Sequence, residues 1–437
     1  MAGFSSCSPV TPASWTVCCR QRTTKNSATT SKRRPSISVH SPVAELVLRR
    51  GADRRLRGGH LWVYSNEVDT DSTPLGHYQA GDAVQVRSAD GRILGCAYME
   101  PQSLICARLY APGEQRPLDQ SLFIERLQVA LNLRQRVFDE PCYRLVYGDS
   151  DGLPGVVVDR FGDYLVAQLN NAGIERYRDP LVAALVTTLQ PTGVLLRGDS
   201  RSRRQQGLAE QIEIVHGDVP EQLPLRENGV DFLAPVYSGQ KTGWFYDHRM
   251  SRARLRPWVP GKSVLDVYSY IGGWGIQAAA FGAGKVCCLD SSAQALEGVM
   301  ANAALNKVAV HVTTRRGSAP ETMAAMRHEG LQFDVVILDP PAFIQRKKDL
   351  KKGTTAYRRI NELGLKLLTP GGLLVAGSCS MHLSRAELMG ALQQAAVRAD
   401  CQLRVVEQGA QGPDHPVHPA IPETEYLKAV FAVKLPG

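Results

Sequence analysis

Apolar residues recur along this chain with two different periods. At 45–48, 62–64, 83–87, 93–98 and 104–109 they fall in short β-type runs. Turn signals such as Gly81-Asp82 and Ala89-Asp90-Gly91 separate these runs. The pattern predicts a small β-barrel ending near residue 112. A helical period follows and predicts an amphipathic helix over 121–138. Strand runs at 155–159, 164–169, 193–196 and 213–216 then mix with a helical run at 178–189, an α+β middle domain. From about residue 260 the order is regular. Strands at 263–267, 285–289, 310–314, 333–338 and 372–377 alternate with helices near 274–281, 292–306, 319–329 and 355–368. Two more strands, 402–407 and 427–434, close the chain. Strict alternation predicts an α/β domain built on a parallel, doubly wound sheet with right-handed crossovers. No internal repeat is visible.

The first 44 residues fit neither period. They contain Arg20, Arg22, Lys25, Lys32, Arg33 and Arg34, no acid and many Ser and Thr, so they are read as a disordered leader. Two origins suit this composition: an organellar transit peptide, or a stretch that a different start codon would omit. The whole chain has 437 residues and a formal charge of +9, and removing the leader leaves only +3 for the body. Global charge therefore says little about a nucleic-acid partner, and local clusters say more. Arg49, Arg50, Arg54, Arg55 and Arg57 form one cluster, and Arg201, Arg203 and Arg204 a second. Arg249, Arg252, Arg254 and Arg256 form a third, and Arg346, Lys347, Lys348, Lys351 and Lys352 a fourth. Each alone suits a solvated face, but together they suggest a polyanion. No apolar run approaches the roughly 20 residues of a spanning helix, so no membrane partner is expected. Of ten cysteines three lie in the leader, and the others are scattered with no CxxC pair or Cys/His cluster. Neither zinc nor a disulfide framework is expected, which suits a reducing, cytoplasmic setting or an organelle if the leader is a transit peptide.

Candidate chemistry collects at the strand ends of the last domain. The strand Val264-Leu265-Asp266-Val267 runs into Tyr268-Ser269-Tyr270-Ile271-Gly272-Gly273-Trp274-Gly275 and then a helix. Glycines at a first strand-to-helix turn let backbone approach a ligand at a helix N-terminus, and an acid ending the second strand, here Asp290, can hold ribose hydroxyls. The turn is longer than G-x-G-x-x-G and opens with an acid. Asp266 would repel a pyrophosphate but suits the cationic sulfonium amino acid of S-adenosylmethionine. A glycine turn that only packs a helix on a strand is the plainer alternative.

The fourth strand ends Leu338-Asp339-Pro340-Pro341-Ala342-Phe343 and the fifth Gly377-Ser378-Cys379-Ser380. Ligands bind outside the carboxyl ends of such strands, so both segments face one crevice. Carbon 5 of cytosine is a poor nucleophile until a thiolate adds to carbon 6, and an acid near ring nitrogen 3 stabilises that adduct. Cys379 and Asp339 fit the two roles. The same Asp-Pro-Pro could hold an exocyclic amine, which keeps methylation of a guanine or adenine nitrogen open. Cys287 and Cys288, inside a strand, are read as core.

At these residues the chain resembles the RlmI-type family, the large-subunit ribosomal RNA cytosine-5 methyltransferases. Gly59-His60-Leu61-Trp62-Val63-Tyr64 resembles the start of the family's PUA domain. Gly148-Asp149-Ser150-Asp151-Gly152-Leu153-Pro154-Gly155 and Asp159-Arg160-Phe161-Gly162 resemble its middle domain. Lys241-Thr242-Gly243-Trp244-Phe245-Tyr246-Asp247-His248-Arg249 and Asp414-His415-Pro416-Val417 match in family order as well. The resemblance covers residue 45 to the end. It implies an RNA-binding PUA β-barrel over 45–115, an α+β domain over 116–235 and a Rossmann-like class I methyltransferase domain over 236–437. It also implies S-adenosylmethionine held near Asp266, Tyr268, Gly272, Gly273, Asp290 and Asp339, with Cys379 as nucleophile and large-subunit ribosomal RNA as partner. One departure stands out: Arg316-Gly317-Ser318 places Ser318 where the family usually has an acid for the adenine amino group. It is the one feature that favours a catalytically inactive RNA-binding assembly factor.

Overall fold

The computed structural model describes residues 44–435, so the expectations for 1–44 lie outside the described residues apart from Ala44. Five strands come first: β1 (Ala44–Val47), β2 (Trp62–Tyr64), β3 (Ala83–Arg87), β4 (Ile93–Met99) and β5 (Ile105–Pro112). They pair in the order β1-β3-β4-β5-β2, and Leu48 bridges to Val68 beyond them. Their alternating inward residues, among them Leu46, Val63, Val84, Val86, Ala107 and Leu109, form a separate core.

The middle sheet runs β10-β9-β8-β7-β6. Its strands are β6 (Cys142–Tyr147), β7 (Val156–Phe161), β8 (Tyr164–Leu169), β9 (Gly193–Arg197) and β10 (Ile212–Gly217). Period-2 alternation sends its residues to two different cores. Leu165, Ala167, Val194 and Leu196 pack under helices Gln120–Gln135 and Arg178–Leu189. Val166 and Leu195, one step along, join the core of the last domain. This sheet is thus the wall between the N-terminal and C-terminal halves.

A hairpin, β11 (Gln222–Glu227) and β12 (Val230–Pro235), was not legible in the sequence. Its backbone N–H groups at Asp231 and Leu233 donate to Asn306 (3.0 Å) and Asn302 (2.9 Å) of the C-terminal half. Five parallel strands of the large sheet follow: β13 (Ser263–Val267), β14 (Lys285–Asp290), β15 (Val312–Arg316), β16 (Phe333–Leu338) and β17 (Leu368–Ser378). With β18 (Leu403–Gly409) and β19 (Lys428–Lys434) the order is β15-β14-β13-β16-β17-β19-β18.

The five alternating strands are parallel as expected, and the two closing strands add an antiparallel pair. β19 is antiparallel to both β17 and β18. It returns from β18 through a connection whose only helical element is the short 3-10 turn Pro422–Thr424, and a parallel neighbour would need a crossover. The third strand starts two residues later than expected, because Val310 lies in a short turn and is 86% exposed. Helix Arg385–Arg398 and strand β6 were missed, and helix Leu350–Leu367 begins earlier than its predicted 355. Among the described residues no helix is long and apolar enough to cross a membrane, and no three His, Cys, Asp or Glu residues come together to hold a metal ion.

Candidate active site

The turn after β13 is strained, and the strain is held in place from several sides. Tyr268 and Tyr270 have φ values of 65° and 50°. Each costs on the order of 1–3 kcal/mol for a residue with a Cβ, and such strain clusters at functional sites. The N–H groups of Tyr268 and Ser269 donate to the Leu289 carbonyl at 2.9 and 3.2 Å. The Tyr270 N–H donates to Asp290 Oδ2 (3.0 Å), and its hydroxyl accepts from Gln240 N–H (3.2 Å). Gly272 takes φ 88°, and a Cβ there would lie 2.6 Å from the Ile276 side chain.

Asp266 is fully buried behind this turn. Its Oδ2 accepts from Gly275 N–H (2.8 Å), while Oδ1 has no partner among the described residues. Burial pushes its carboxyl up to about 7, and Asp339 and Asp290 add to the shift against the Gly275 hydrogen bond. A buried carboxylate oxygen without a donor is costly unless a cation faces it. The sulfonium and ammonium groups of S-adenosylmethionine fit that requirement. Asp290 ends β14, with Oδ1 accepting from Ser292 N–H (2.9 Å) and further lone pairs left for ribose hydroxyls. Ser318 caps helix Ala319–His328 without a side-chain hydrogen bond and is exposed, near Asp290 through the Gly317 N–H on the Asp290 carbonyl (3.0 Å).

Asp339 and Cys379 come together as the sequence suggested, because β16 and β17 are parallel neighbours with Leu338 opposite Ala376. A Cβ on Gly377 would lie 3.1 Å from Asp339 Oδ1, and Cys379 Sγ contacts the Pro340 carbonyl at 3.9 Å. Trp274 Nε1 donates to Asp339 Oδ2 (3.0 Å), and His248 Nε2 lies 3.1 Å from Oδ1. Burial alone would raise Asp339, but the His248 charge and the Trp274 hydrogen bond outweigh it and hold the carboxyl below its ordinary value. The serines flanking Cys379 are buried and tied to one phenol: Ser378 Oγ and Ser380 Oγ both lie 2.9 Å from Tyr357 Oη. With its neighbours pinned inward, Cys379 is less buried than either of them but still mostly covered. Burial pushes its thiol up to about 11; Lys241 opposes this and Asp339 adds to it.

Four participants escaped the sequence reading: Trp274, His248, Tyr357 and Lys428. Trp274 and His248 stood inside quoted blocks, and an aromatic in a glycine turn and a histidine after an acid were the available signals. Lys428 is buried opposite Ser378, and its Nζ donates to the Ser380 carbonyl (2.7 Å). Nothing in its local sequence marks it.

Part of each of two basic clusters proposed for a polyanion is instead structural, while Arg201 and Arg204 stay exposed. Arg249 and Arg252 are buried, and Arg252 Nε lies 3.0 Å from the buried Glu227. Arg254 pairs with Glu407, and Arg256 covers the Phe281 ring. Arg203 is buried on the Leu169 and Gly198 carbonyls. In the first cluster Arg55 grips Glu67 at 2.7 and 2.8 Å, while Arg49, Arg50, Arg54 and Arg57 are exposed. The fourth cluster is exposed throughout and directly follows the Asp339 loop.

The remaining motif blocks pin the domains together. Asp149 accepts from Trp62 Nε1 (2.8 Å) and Asp151 from Arg134 (2.5 and 2.7 Å). Asp159 takes both arms of Arg144 at 2.7 and 2.8 Å and the Thr242 hydroxyl at 2.5 Å. Asp414 accepts the Arg144 N–H (3.1 Å), and its carbonyl accepts from Arg134 (2.8 Å).

A seven-stranded sheet with one antiparallel strand beside β17, a strained glycine turn and a buried acid awaiting a cation define an S-adenosylmethionine-dependent methyltransferase. The sequence pattern of that family matches residues 198–431, and that of PUA-like domains matches 46–112. The chain is 36% identical over 390 residues to ribosomal RNA large subunit methyltransferase I of Shewanella denitrificans, covering 88% of this chain and 98% of that protein. It is 35% identical over 398 residues to the Vibrio cholerae protein of the same name, covering 89% and 99%. The chain belongs to the ribosomal RNA large subunit methyltransferase I family. The fold matches that of a candidate methyltransferase complexed with SAH, at a TM-score of 0.77 and 22% identity over 89% of this chain and all of the other.

Proposed function

We propose that this chain methylates carbon 5 of a cytosine in large-subunit ribosomal RNA, through a covalent adduct on Cys379. The carrying observation is a partly buried thiol beside a carboxylate at the ends of neighbouring strands, next to the cofactor turn. Asp266 faces the cationic end of S-adenosylmethionine, Tyr268, Gly272 and Gly273 shape the turn around it, Asp290 takes the ribose, and Ser318 lies toward the adenine. Bound there, S-adenosylmethionine supplies an electrophilic methyl group. Cys379 adds to carbon 6 and makes carbon 5 nucleophilic, and Asp339 faces ring nitrogen 3. The relatives' name supplies the ribosomal RNA. The PUA-like domain and the exposed cluster 346–352 give it phosphate contacts.

The domain division read as 45–115, 116–235 and 236–437 suits these roles, with β11–β12 as the seam into the catalytic half. The cytoplasm is the proposed compartment, and an organelle is the alternative if 1–44 are a transit peptide. Mapping the methylated nucleotide by mass spectrometry tests the reading, and a methyl group on carbon 5 of cytosine is the expected result. The burial of Cys379 favours methylation of a guanine or adenine nitrogen instead: it pushes the thiol up to about 11, which leaves little thiolate at neutral pH. A methyl group on nitrogen would establish that alternative.

A further inference from the structure

This inference rests on the carbon-5 reading, in which ring nitrogen 3 gains a proton as the thiolate adds to carbon 6. Asp339 meets that task in the wrong protonation state. Its Oδ2 accepts from Trp274 (3.0 Å), its Oδ1 lies 3.1 Å from His248, and a carboxylate so paired has no proton to give. The proton is stored one residue away in space. The Asp339 side chain is 24% exposed and can touch a base, whereas that of His248 is 4% exposed and cannot.

We propose that His248 is a positioning residue that stores the proton of the site and delivers it to the base through Asp339. The acids around it are Asp339, from the loop after β16, and Asp247, from its own turn. Asp247 is itself held by Tyr426 Oη at 2.6 Å and by the His248 N–H at 3.0 Å. Arg252 opposes them from the next helical turn but is committed to Glu227 (3.0 Å). Burial alone would discharge the ring, yet Asp339 and then Asp247 outweigh it, so His248 titrates above its ordinary value. The 3.1 Å approach is an ion pair that is not aligned as a hydrogen bond, and catalytic hydrogen bonds commonly tighten once substrate is bound.

The step balances. His248 Nε2–H first passes its proton to the Asp339 carboxylate. As the sulfur lone pair forms the bond to carbon 6 and the ring's electrons end on nitrogen 3, the Asp339 carboxyl hands that proton to nitrogen 3, which leaves Asp339 a carboxylate again and His248 neutral. After methyl transfer carbon 5 loses its own proton to solvent, the carbon–sulfur bond breaks, and the nitrogen 3 proton returns to His248. Protonating Asp339 also removes one of the carboxylates that hold the Cys379 thiol high, so the two events support each other.

Single-turnover methyl transfer on an RNA fragment, followed from pH 6 to 9.5, tests the assignment with the His248→Gln variant. Gln keeps an N–H for Asp339 but stores no proton. The wild type should slow as rising pH discharges His248. The variant should be about 100-fold slower at pH 7, with that alkaline limb gone and its S-adenosylmethionine affinity unchanged. Imidazole NMR of the full chain gives a second reading without turnover: His248 should be charged at pH 7 and should discharge at lower pH in Asp339→Asn. A neutral imidazole at pH 7, a wild-type rate, or a slower variant that keeps the limb overturns the proposal. If Cys379→Ala still transfers methyl groups, the carbon-5 reading has failed and takes this proposal with it. If Cys379 is essential and only the His248 tests fail, the failure is this proposal's alone.

Discussion

Trp274 donates its indole N–H to Asp339 across 3.0 Å, and so joins the cofactor turn to the acid of the chemical loop. Trp274 is packed in the core at 3% exposure, and Asp339 lies between β16 and two prolines, so neither end of this bond is free to wander. The turn after β13 and the loop after β16 are therefore tied by one hydrogen bond between residues 65 apart in the chain.

Asp266 gives the free protein a pH signature. Its folded value near 7 lies above its ordinary 3.8, so between those values the folded state holds a proton that the unfolded chain has lost. Stability from this group is full below about pH 4 and is lost as pH rises to 7. A cation facing Oδ1 offsets that loss. S-adenosylmethionine affinity by calorimetry should strengthen as pH passes 7, and Asp266→Asn should bind more weakly with a flat pH profile. A wild-type profile that is flat, with affinity unchanged in the variant, would remove Asp266 from the site.

Asp290→Ala should weaken S-adenosylmethionine binding by on the order of 2–4 kcal/mol while the protein stays folded. The carboxylate also holds the Tyr270 N–H, so part of the loss reflects a looser turn. Equal affinities for variant and wild type would contradict the ribose assignment.

Cys379 is tested by an RNA carrying 5-fluorocytosine at the target. That base has no carbon-5 proton to lose, so the adduct should persist and run as a denaturant-stable complex. Cys379→Ala should abolish adduct and turnover, and Cys379→Ser should be nearly as inactive. Ala342 follows the proline pair, so no second cysteine there can help release product. Asp339→Asn should slow adduct formation.

RNA binding should fall steeply with salt, and the exposed cluster should carry part of the slope. Neutralising Lys347, Lys348, Lys351 and Lys352 should reduce the slope by roughly 0.7–0.9 for each phosphate that is no longer neutralised, and leave cofactor affinity unchanged. Charge reversal at Arg54 should weaken RNA binding, but Arg55 is unsuitable for the comparison because it holds Glu67. An unaltered salt slope in the lysine variant would exclude this strip.

Arg252→Ala should act on stability instead. Glu227 keeps Arg249 at 3.6 Å, so the loss should stay below the roughly 3–5 kcal/mol of an uncompensated buried charge. Denaturant melts should show the loss. A variant as stable as wild type with weakened RNA binding would restore this arginine to the RNA surface.

Much of this was readable in the chain because it rests on local rules. Buried strands of the α/β domain show as apolar runs, and glycine turns and Asp-Pro-Pro mark strand ends. Parallel alternation then forces Asp266, Asp339 and Cys379 to one edge of the sheet. The hairpin β11–β12 escaped although its inward residues Leu223, Leu225, Phe232 and Ala234 keep the two-residue period of a strand, because Pro224 breaks the first run and Pro235 ends the second. Charge was misread for a related reason. A sequence shows that Arg249 and Arg252 are cationic, but whether they face phosphate or a buried Glu227 depends on a partner over twenty residues away.

The sequence alone marked a thiol, carboxylates and a glycine turn at strand ends as candidates, since these are local properties of short segments. Tertiary structure decided their electrical state. Asp266 sits near 7, Asp339 below its ordinary value and Cys379 near 11 because burial, His248 and Lys241 meet only after folding. Desolvation and charge pairing act through space, and the chain's order does not record those distances.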